Sequence, residues 1–488
     1  MKIRANLKKL MCAAVVALPL LSTVTQAAEP IYPNLPAEIQ NRLKSSGMST
    51  WGMSAYVQAI GSPRPLISHN AQVARNPASV MKLLTSYVAL GTLGPNYRWP
   101  IEITTNGSLQ GGVLSGNVYI KGYGAPDFDT KALREMLNQL RRKGIHTIQG
   151  RLIFDDTFFN GPKIDPGAFD GKPYSSYNAQ PDALMFNERR SQFTAARKGN
   201  RISVTTSTPA HNLRIVNKIK RAKRSCRVST SVKRGRGDAV TITFSGYLAR
   251  RCRNRGFTMA VTDPANTMYS AIKKIWTKEL KGRFNAQFMV GATPANVRMI
   301  HTHYSKSLAE LLPTVVKDSN NVMARQLMRS IGAKRFGAPG TPKKGAEAID
   351  DYLRKQGLNF PELRIENGSG LSRYARISTE NISHLLSKAY YGPHSDVWLR
   401  SMAVAGVDGT MKGRLRTSAV RGRGFFKTGT LRDVRGIAGY VNAADGRTYV
   451  VSILHNDPRA RSRGRKIHDN FIEWVFWGKD GQQIAAGY

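Results

Sequence analysis

Three short motifs in a fixed order constrain this chain more than anything else in it: Ser79-Val80-Met81-Lys82, then Ser319-Asn320-Asn321, then Lys427-Thr428-Gly429. K-T-G occurs once, but the other two have decoys. A second S-x-x-K stands at Ser270-Ala271-Ile272-Lys273, and S-x-N recurs at Ser68-His69-Asn70, Ser115-Gly116-Asn117 and Ser176-Tyr177-Asn178. Context separates the copies. Asn76 and Pro77 are helix-start residues, and the apolar positions Met81, Leu83, Leu84, Tyr87, Val88 and Leu90 that follow predict a buried helix with Ser79 in its first turn. Lys82, one turn on, projects from the same face. Free N–H groups and the positive end of the helix dipole lie at that end. Ser270 instead sits within the ordinary amphipathic pattern of Met268, Ile272, Ile275 and Trp276. Lys427 follows the apolar Phe425-Phe426 and reads as part of a strand edge.

These residue types point to nucleophilic chemistry. A serine hydroxyl is a poor nucleophile at neutral pH and needs a base within hydrogen-bond reach. No histidine falls in the motifs, so Lys82 is the expected base for Ser79. It can serve only if its neutral form is accessible, through burial and a neighbouring cation such as Lys427.

At 488 residues the chain exceeds one compact core, so two or three domains are expected. The residues Lys2, Arg4, Lys8 and Lys9, the apolar run Leu10 to Leu21 and then Thr25-Gln26-Ala27 read as a secretory signal peptide cleaved after Ala27. That run is too short to span a bilayer. The expected product is periplasmic, either soluble or peripherally attached to the membrane. Two cysteines survive processing, Cys226 and Cys252, flanking an expected hairpin that turns between Arg234 and Asp238. In an oxidising compartment they could pair; a free buried pair is the alternative. The formal charge is +43, which favours anionic partners such as cell-wall or membrane-surface polymers. No zinc finger, RNA-binding or recognition-helix pattern is present, so nucleic acid is not an expected partner. His301-Thr302-His303 is the one close histidine pair, and without an evident third ligand neither a metal nor a cofactor is expected.

Along the chain, a short helix over 36–43 precedes strand-like segments at Trp51 to Val57 and Leu66 to Ser68, and then the Ser79 helix. From about Arg98 the texture turns to short strands at Ile101-Glu102-Ile103, Val113-Leu114, Val118-Tyr119-Ile120 and Leu152-Ile153-Phe154, with a helix over 131–142. Arg189 to Arg255 is strongly basic and strand-rich. A helix pair over 308–328 carries Ser319, and the end is strand-rich before a closing helix with Ile467, Phe471, Trp474 and Val475 on one stripe. The expected domains are a catalytic unit over 28–97 and 298–488, an inserted α+β unit over 98–185 and 259–297, and a second, basic insertion over 186–258.

The ordered motifs resemble those of the class C low-molecular-mass penicillin-binding proteins, the D-alanyl-D-alanine carboxypeptidase/endopeptidase family. Asn367-Gly368-Ser369-Gly370-Leu371-Ser372-Arg373 is similar to that family's D-G-S-G-L-S-R. Ala405-Gly406-Val407-Asp408-Gly409-Thr410 is like its stretch ahead of K-T-G. The gap of about 240 residues between Ser79 and Ser319 matches the family's two inserted domains, whereas simpler S-x-x-K enzymes have a far shorter one. The resemblance implies an α+β fold with a penicillin-binding/serine β-lactamase-like core, an antiparallel sheet flanked by helices, carrying two strand-rich insertions. It implies hydrolysis of peptidoglycan stem peptides through an acyl-enzyme on Ser79, and acylation by β-lactams. Ser319 becomes the proton relay toward the leaving amine, and Asn321 holds Lys82 and the substrate amide. Lys427, Thr428, Gly429 and Thr430 form the edge that meets the substrate carboxylate, with the N–H groups of Ser79 and Thr430 as the oxyanion hole. Asp165, near Pro166-Gly167, loosely matches the family's reader of the peptide side chain. Two departures stand out: Asn367 replaces an acidic residue, and Gly122-Tyr123-Gly124-Ala125-Pro126 lacks the family's aspartate before that proline. A class A β-lactamase would need an E-x-x-L-N segment for its deacylating water, and there is none. A non-catalytic wall-binding protein on the same fold is the other alternative.

Overall fold

The computed structural model describes residues 31–485, with 163, 209 and 253 excepted and side chains to residue 478. The expected leader, 1–27, lies outside the described residues. The organising element is a six-stranded antiparallel sheet in the order Ala403–Val404, Gly424–Thr430, Val434–Asn442, Thr448–Asn456, Met53–Ala59, Ile67–His69. Both faces are covered. Ile437, Val441, Val451 and Ile453 pack with Ile39 and Leu43 of the helix Ala37–Ser45 and with Ile467, Phe471 and Trp474 of the helix Ala460–Ala485. The alternate residues Ala438, Tyr440, Val450 and Leu454 pack against Leu385 and Leu386 on the other side. Burial on both faces explains the near-continuous apolar run from Tyr449 to Leu454. Each such aliphatic side chain removed from water contributes about 1.5–3 kcal/mol. The closing helix packs its stripe on the sheet, as its spacing indicated.

The second face carries the helices that matter for the site. Lys82–Leu93, Leu308–Val316, Asn321–Phe336 and Thr379–Tyr390 bury one continuous apolar cluster. Leu308–Val316 and Asn321–Phe336 are the helix pair expected over 308–328, but Ser319 lies in neither. It sits in the turn between them. Two helices not anticipated above, Pro342–Lys355 and Thr379–Tyr390, begin at hydroxyl caps: Thr341 accepts from the Lys344 N–H and Ser378 from the Asn381 N–H.

The region after Arg98 forms a five-stranded sheet ordered Gln287–Val290, Arg151–Asp155, Val118–Gly122, Pro100–Thr105, Arg298–Tyr304, with the helix Thr130–Arg142 packed among them. Arg298–Tyr304, which carries His301 and His303, was expected to reopen the catalytic segment. It pairs instead with Pro100–Thr105, which extends the inserted sheet by one strand. The insertion does not keep a core of its own: Ile101, Ile103, Leu137 and Phe154 belong to the same cluster as Leu83, Leu312 and Leu327.

The basic stretch is all-β, as its pattern suggested. It forms two three-stranded sheets, one ordered Arg201–Thr206, Ser191–Lys198, Arg255–Met259 and the other Leu213–Ala222, Val240–Ala249, Val228–Arg234. Phe193, Val240, Ile242, Phe244 and Val261 give it a separate small core. Cys226 and Cys252 are joined in a disulfide beside the hairpin Val228–Arg234/Val240–Ala249. Among the described residues no helix is long and apolar enough to cross a membrane.

Candidate active site

The turn bearing Ser79 sits where two glycines leave the central sheet bare. Ala78–Met81 is a short 3-10 turn, and the α-helix proper starts at Lys82, so Ser79 precedes the helix by one turn rather than lying inside it. Gly429 and Gly436 face each other across neighbouring strands. A Cβ on Gly429 would come within 2.6 Å of the Pro77 carbonyl and 3.1 Å of the Ser79 nitrogen; on Gly436 it would approach Pro77 O at 3.1 Å. The glycine of K-T-G is therefore needed for contact between strand and turn. On the opposite side Gly370 (φ 73°) touches Ala78, where a Cβ would meet the carbonyl at 1.8 Å. Ala78 (φ 48°) and Ser319 (φ 63°) both hold the left-handed conformation that side chains disfavour. Strain of this kind, on the order of 1–3 kcal/mol each, clusters at functional sites.

Lys82 is fully buried, and its Nζ donates to three acceptors: Ser79 Oγ at 3.0 Å, Asn321 Oδ1 at 2.7 Å and the Ser369 carbonyl at 2.6 Å. Two of these, the amide oxygen and the carbonyl, can only accept. A neutral amine has two N–H bonds and one lone pair, so satisfying those two acceptors aims the lone pair at the Ser79 hydroxyl. Burial first, then the charges of Lys427 and Arg325, pushes the Lys82 ammonium well below the ordinary lysine range. Lys427 is fully buried too. Its Nζ donates to Ser319 Oγ and to the Thr428 carbonyl, both at 2.8 Å, and burial lowers its pKa to about 7, with Asp318 pulling the other way. Lys82 thus bonds Ser79 and Asn321 while Lys427 bonds Ser319, two hydrogen-bonded groups drawn from three distant segments and coupled through their charges.

Ser79, Ser319, Asn321 and Thr430 open onto a cavity of about 680 Å³. Lys427 and Gly429 face the turn bearing Ser79, Thr428 alternates to the other side of the pleat, and Thr430, the last residue of the strand, is exposed at the cavity. Thr428 contributes its carbonyl, while Thr430 Oγ1 accepts from Arg435 Nη1 at 2.7 Å on the cavity rim. Asp165 is not in this cavity. Its carboxylate accepts from the Gly167 N–H in a tight turn, and it lines an adjoining groove of about 480 Å³. Asp170 does line the cavity: it accepts from Tyr177 at 2.6 Å and Asn178 at 2.9 Å, and is held below the usual carboxylate range by those bonds against its desolvation. The Ser176-Tyr177-Asn178 decoy therefore borders the site without being its S-x-N.

The S-x-x-K decoy lies outside the cavity. Ser270 donates to the Asn266 carbonyl and accepts from the His211 N–H. Sequence reasoning missed the loop from Asn367 to Leu371 as a site element. Asn367 donates to the Leu371 carbonyl and accepts from Ser369 N–H and Oγ, shaping the turn that offers the Ser369 carbonyl to Lys82. An aspartate could not make the first of these bonds, so the departure at Asn367 is structural here. Arg325 was missed as well, since a helical arginine in an apolar run gives no sign that it will lie beside Lys82. Among the described residues no group of His, Cys, Asp or Glu is placed to hold a metal.

An antiparallel sheet flanked by helices, with a buried S-x-x-K lysine beside the strand that carries K-T-G, defines the fold of the penicillin-binding and serine β-lactamase-like proteins. A solved structure of penicillin-binding protein 4 from Haemophilus influenzae superposes with a TM-score of 0.75 at 21% identity, over 90% of this chain and 100% of that one. The chain belongs to the D-Ala-D-Ala carboxypeptidase 3 (S13) family, whose model matches residues 35–475. It is 25% identical over 392 residues to the D-alanyl-D-alanine carboxypeptidase DacB of Haemophilus influenzae, covering 78% of this chain and 80% of that protein. It is 26% identical over 472 residues to a D-alanyl-D-alanine carboxypeptidase of an Actinomadura species, covering 91% and 86%. The protein is thus an enzyme of the D-Ala-D-Ala carboxypeptidase class.

Proposed function

We propose that this carboxypeptidase works outside the cytoplasm through an acyl-enzyme on Ser79, trimming peptidoglycan stem peptides and also cleaving D,D cross-links. The observation that carries this reading is the Lys82 amine, buried without a carboxylate partner among the described residues and 3.0 Å from Ser79 Oγ. Lys82 takes the hydroxyl proton as Ser79 attacks the carbonyl between the two D-alanines. The N–H groups of Ser79 and Thr430 receive the oxyanion. Ser319 relays the proton taken up by Lys82 to the departing amine, leaving Lys82 neutral again, while Lys427 holds the Ser319 oxygen and keeps its own charge. Thr430, its oxygen already accepting from Arg435, keeps its own O–H for the substrate carboxylate, and protonated Lys427 adds charge. Water then hydrolyses the ester. β-Lactams would acylate the same serine, and Asp170, among the described residues the one carboxylate lining the cavity, is suited to an ammonium on the peptide. The Cys226–Cys252 disulfide supports an oxidising, periplasmic location. The basic insertion would hold the enzyme against anionic polymers of the envelope.

Intact mass after incubation with benzylpenicillin tests this. The wild type gains one adduct, Ser79→Ala gains none, and Lys82→Arg keeps the fold but acylates about 10²–10⁴-fold more slowly, because arginine stays charged at any working pH. An adduct that persists in Ser79→Ala, or maps to Ser270, overturns the assignment.

A further inference from the structure

The sheet Leu213–Ala222, Val240–Ala249, Val228–Arg234 is covered on one face only. Ile215, Ile219, Val240, Ile242, Phe244, Val228 and Val232 point inward to its small core. The pleat sends the intervening residues outward, and the register aligns them in rows. Lys233, Thr241 and Arg214 form one row; Ser231, Thr243 and Val216 the next; then Ser229, Ser245 and Lys218. The last row is Tyr247 between Lys220 and Arg227, where the Tyr247 N–H donates to the Arg227 carbonyl at 2.7 Å. The outer face is thus a field of hydroxyls along the middle and one edge, with cations at both ends and along the other edge. It spans about 20 Å along the strands and about 10 Å across them.

All five cations are exposed and, among the described residues, none makes an ion pair. Asp238, in the hairpin turn, is the single acid from 190 to 258. A basic face with no internal counter-charge is a surface for an external anion. Its other chemistry narrows the partner. Hydroxyl rows offer donors and acceptors at regular spacing, which suits a chain of sugar hydroxyls better than a lipid headgroup layer. Tyr247, 48% exposed, provides an aromatic ring for a sugar to stack on. Apart from Tyr247 and the half-buried Val216 nothing apolar projects that could enter a bilayer.

We propose that this outer face binds an anionic polysaccharide, a sugar chain bearing carboxylate or phosphate groups, laid along the strands. The proposal deepens the envelope-anchoring reading above and rests on it for location, but it does not depend on the chemistry at Ser79.

Binding of the full-length mature enzyme to polygalacturonate, neutral dextran and phosphatidylglycerol vesicles, each over a range of salt, tests it. Polygalacturonate should bind with affinity that falls steeply as salt rises, and neutral dextran much more weakly. The triple variant R214E/K218E/K220E should lose more than tenfold in affinity and show a flatter salt dependence, as fewer counterions are released. Y247A should weaken binding several-fold and leave the salt slope unchanged. A control with the same change in charge elsewhere, K334E/K343E/K388E, should lose less than threefold. Acylation by benzylpenicillin should be unaffected in all three, which shows that they fold and separates this face from the catalytic assignment. Equal losses in the two triple variants would reduce the effect to net charge and overturn the proposal. So would tight binding to vesicles with none to polygalacturonate. If the triple variant fails to acylate, the milder K218Q/K220Q pair decides, and unchanged affinity there overturns the proposal.

Discussion

Two buried lysines in one small site cannot both carry a proton at low cost. Burial lowers Lys82 well below its ordinary range and Lys427 to about 7, and each ammonium repels the other. On the proposed mechanism the productive state therefore holds one proton on Lys427, which would receive the substrate carboxylate, and none on Lys82. Lysine is charged below its pKa, so raising the pH through about 7 removes the charge that draws the carboxylate. We predict that kcat/KM for a D-Ala-D-Ala peptide falls above about pH 7, measured as D-alanine release. The falling limb of kcat should lie at higher pH, because bound carboxylate raises the Lys427 pKa. Stability has the opposite sign. The folded protein holds fewer protons at Lys427 than the unfolded chain between about 7 and the ordinary 10.5, so this group's contribution rises with pH across that window.

At the scale of elements, the site depends on how closely a turn approaches a sheet. Gly429 and Gly436 form a bare pair on which Ala78–Met81 rests, and the turn is held from above by the loop containing Gly370. The helix Asn321–Phe336 secures the other side. Its Gln326 Nε2 donates to the Asp182 carbonyl at 2.8 Å and Arg325 Nη1 donates to that of Ala179 at 2.8 Å, tying it to the segment that carries Asp170. Gly429→Ala would set a Cβ 2.6 Å from the Pro77 carbonyl, a backbone atom with no room to give. We expect it to cost about 1–3 kcal/mol in overpacking and to slow benzylpenicillin acylation by at least tenfold, as the turn bearing Ser79 is pushed off the strand. Gly436→Ala, whose contacts begin at 3.1 Å, should be the milder of the two. Stopped-flow acylation and chemical denaturation of the two variants check the order.

Across the whole molecule the cores divide differently from the insertions. The first inserted sheet shares one apolar cluster with the catalytic helices, while the basic stretch has its own small cluster and a disulfide. We propose that the molecule opens in two units, 191–259 first and the rest together. Closing a loop of 26 residues with a disulfide stabilises by about 3.5 kcal/mol in the chain-entropy account. Replacing Cys226 and Cys252 by serine should therefore speed amide exchange within 213–249 and leave the helices 82–93 and 321–336 and the rate of acylation unchanged. Hydrogen-exchange mass spectrometry reads this directly; equal acceleration everywhere would mean a single cooperative unit.

The linear chain was enough to identify the reaction class, because Ser79, Lys82, Ser319 and Lys427 lie in short motifs whose order and residue types are themselves the signal. The strands of the central sheet, the closing helix and the all-β texture of the basic stretch were legible too, through apolar periodicity. What the sequence left open depended on distance in space. Asp170 rather than Asp165 reaches the cavity because of the local turn at Asp165 and Gly167. The Ser369 carbonyl meets Lys82, and the Arg325 charge acts on it, only when helix 321–336 and the 367–371 loop close over it. Arg298–Tyr304 joins the inserted sheet because its backbone pairs with Pro100–Thr105, and a strand's partner is not written in its own residues. Charge shows the same division. Composition alone established that the protein is strongly basic, but only pleat and register decided that Arg214, Lys218 and Lys220 share an outer face from which Arg221, one residue on, is turned away.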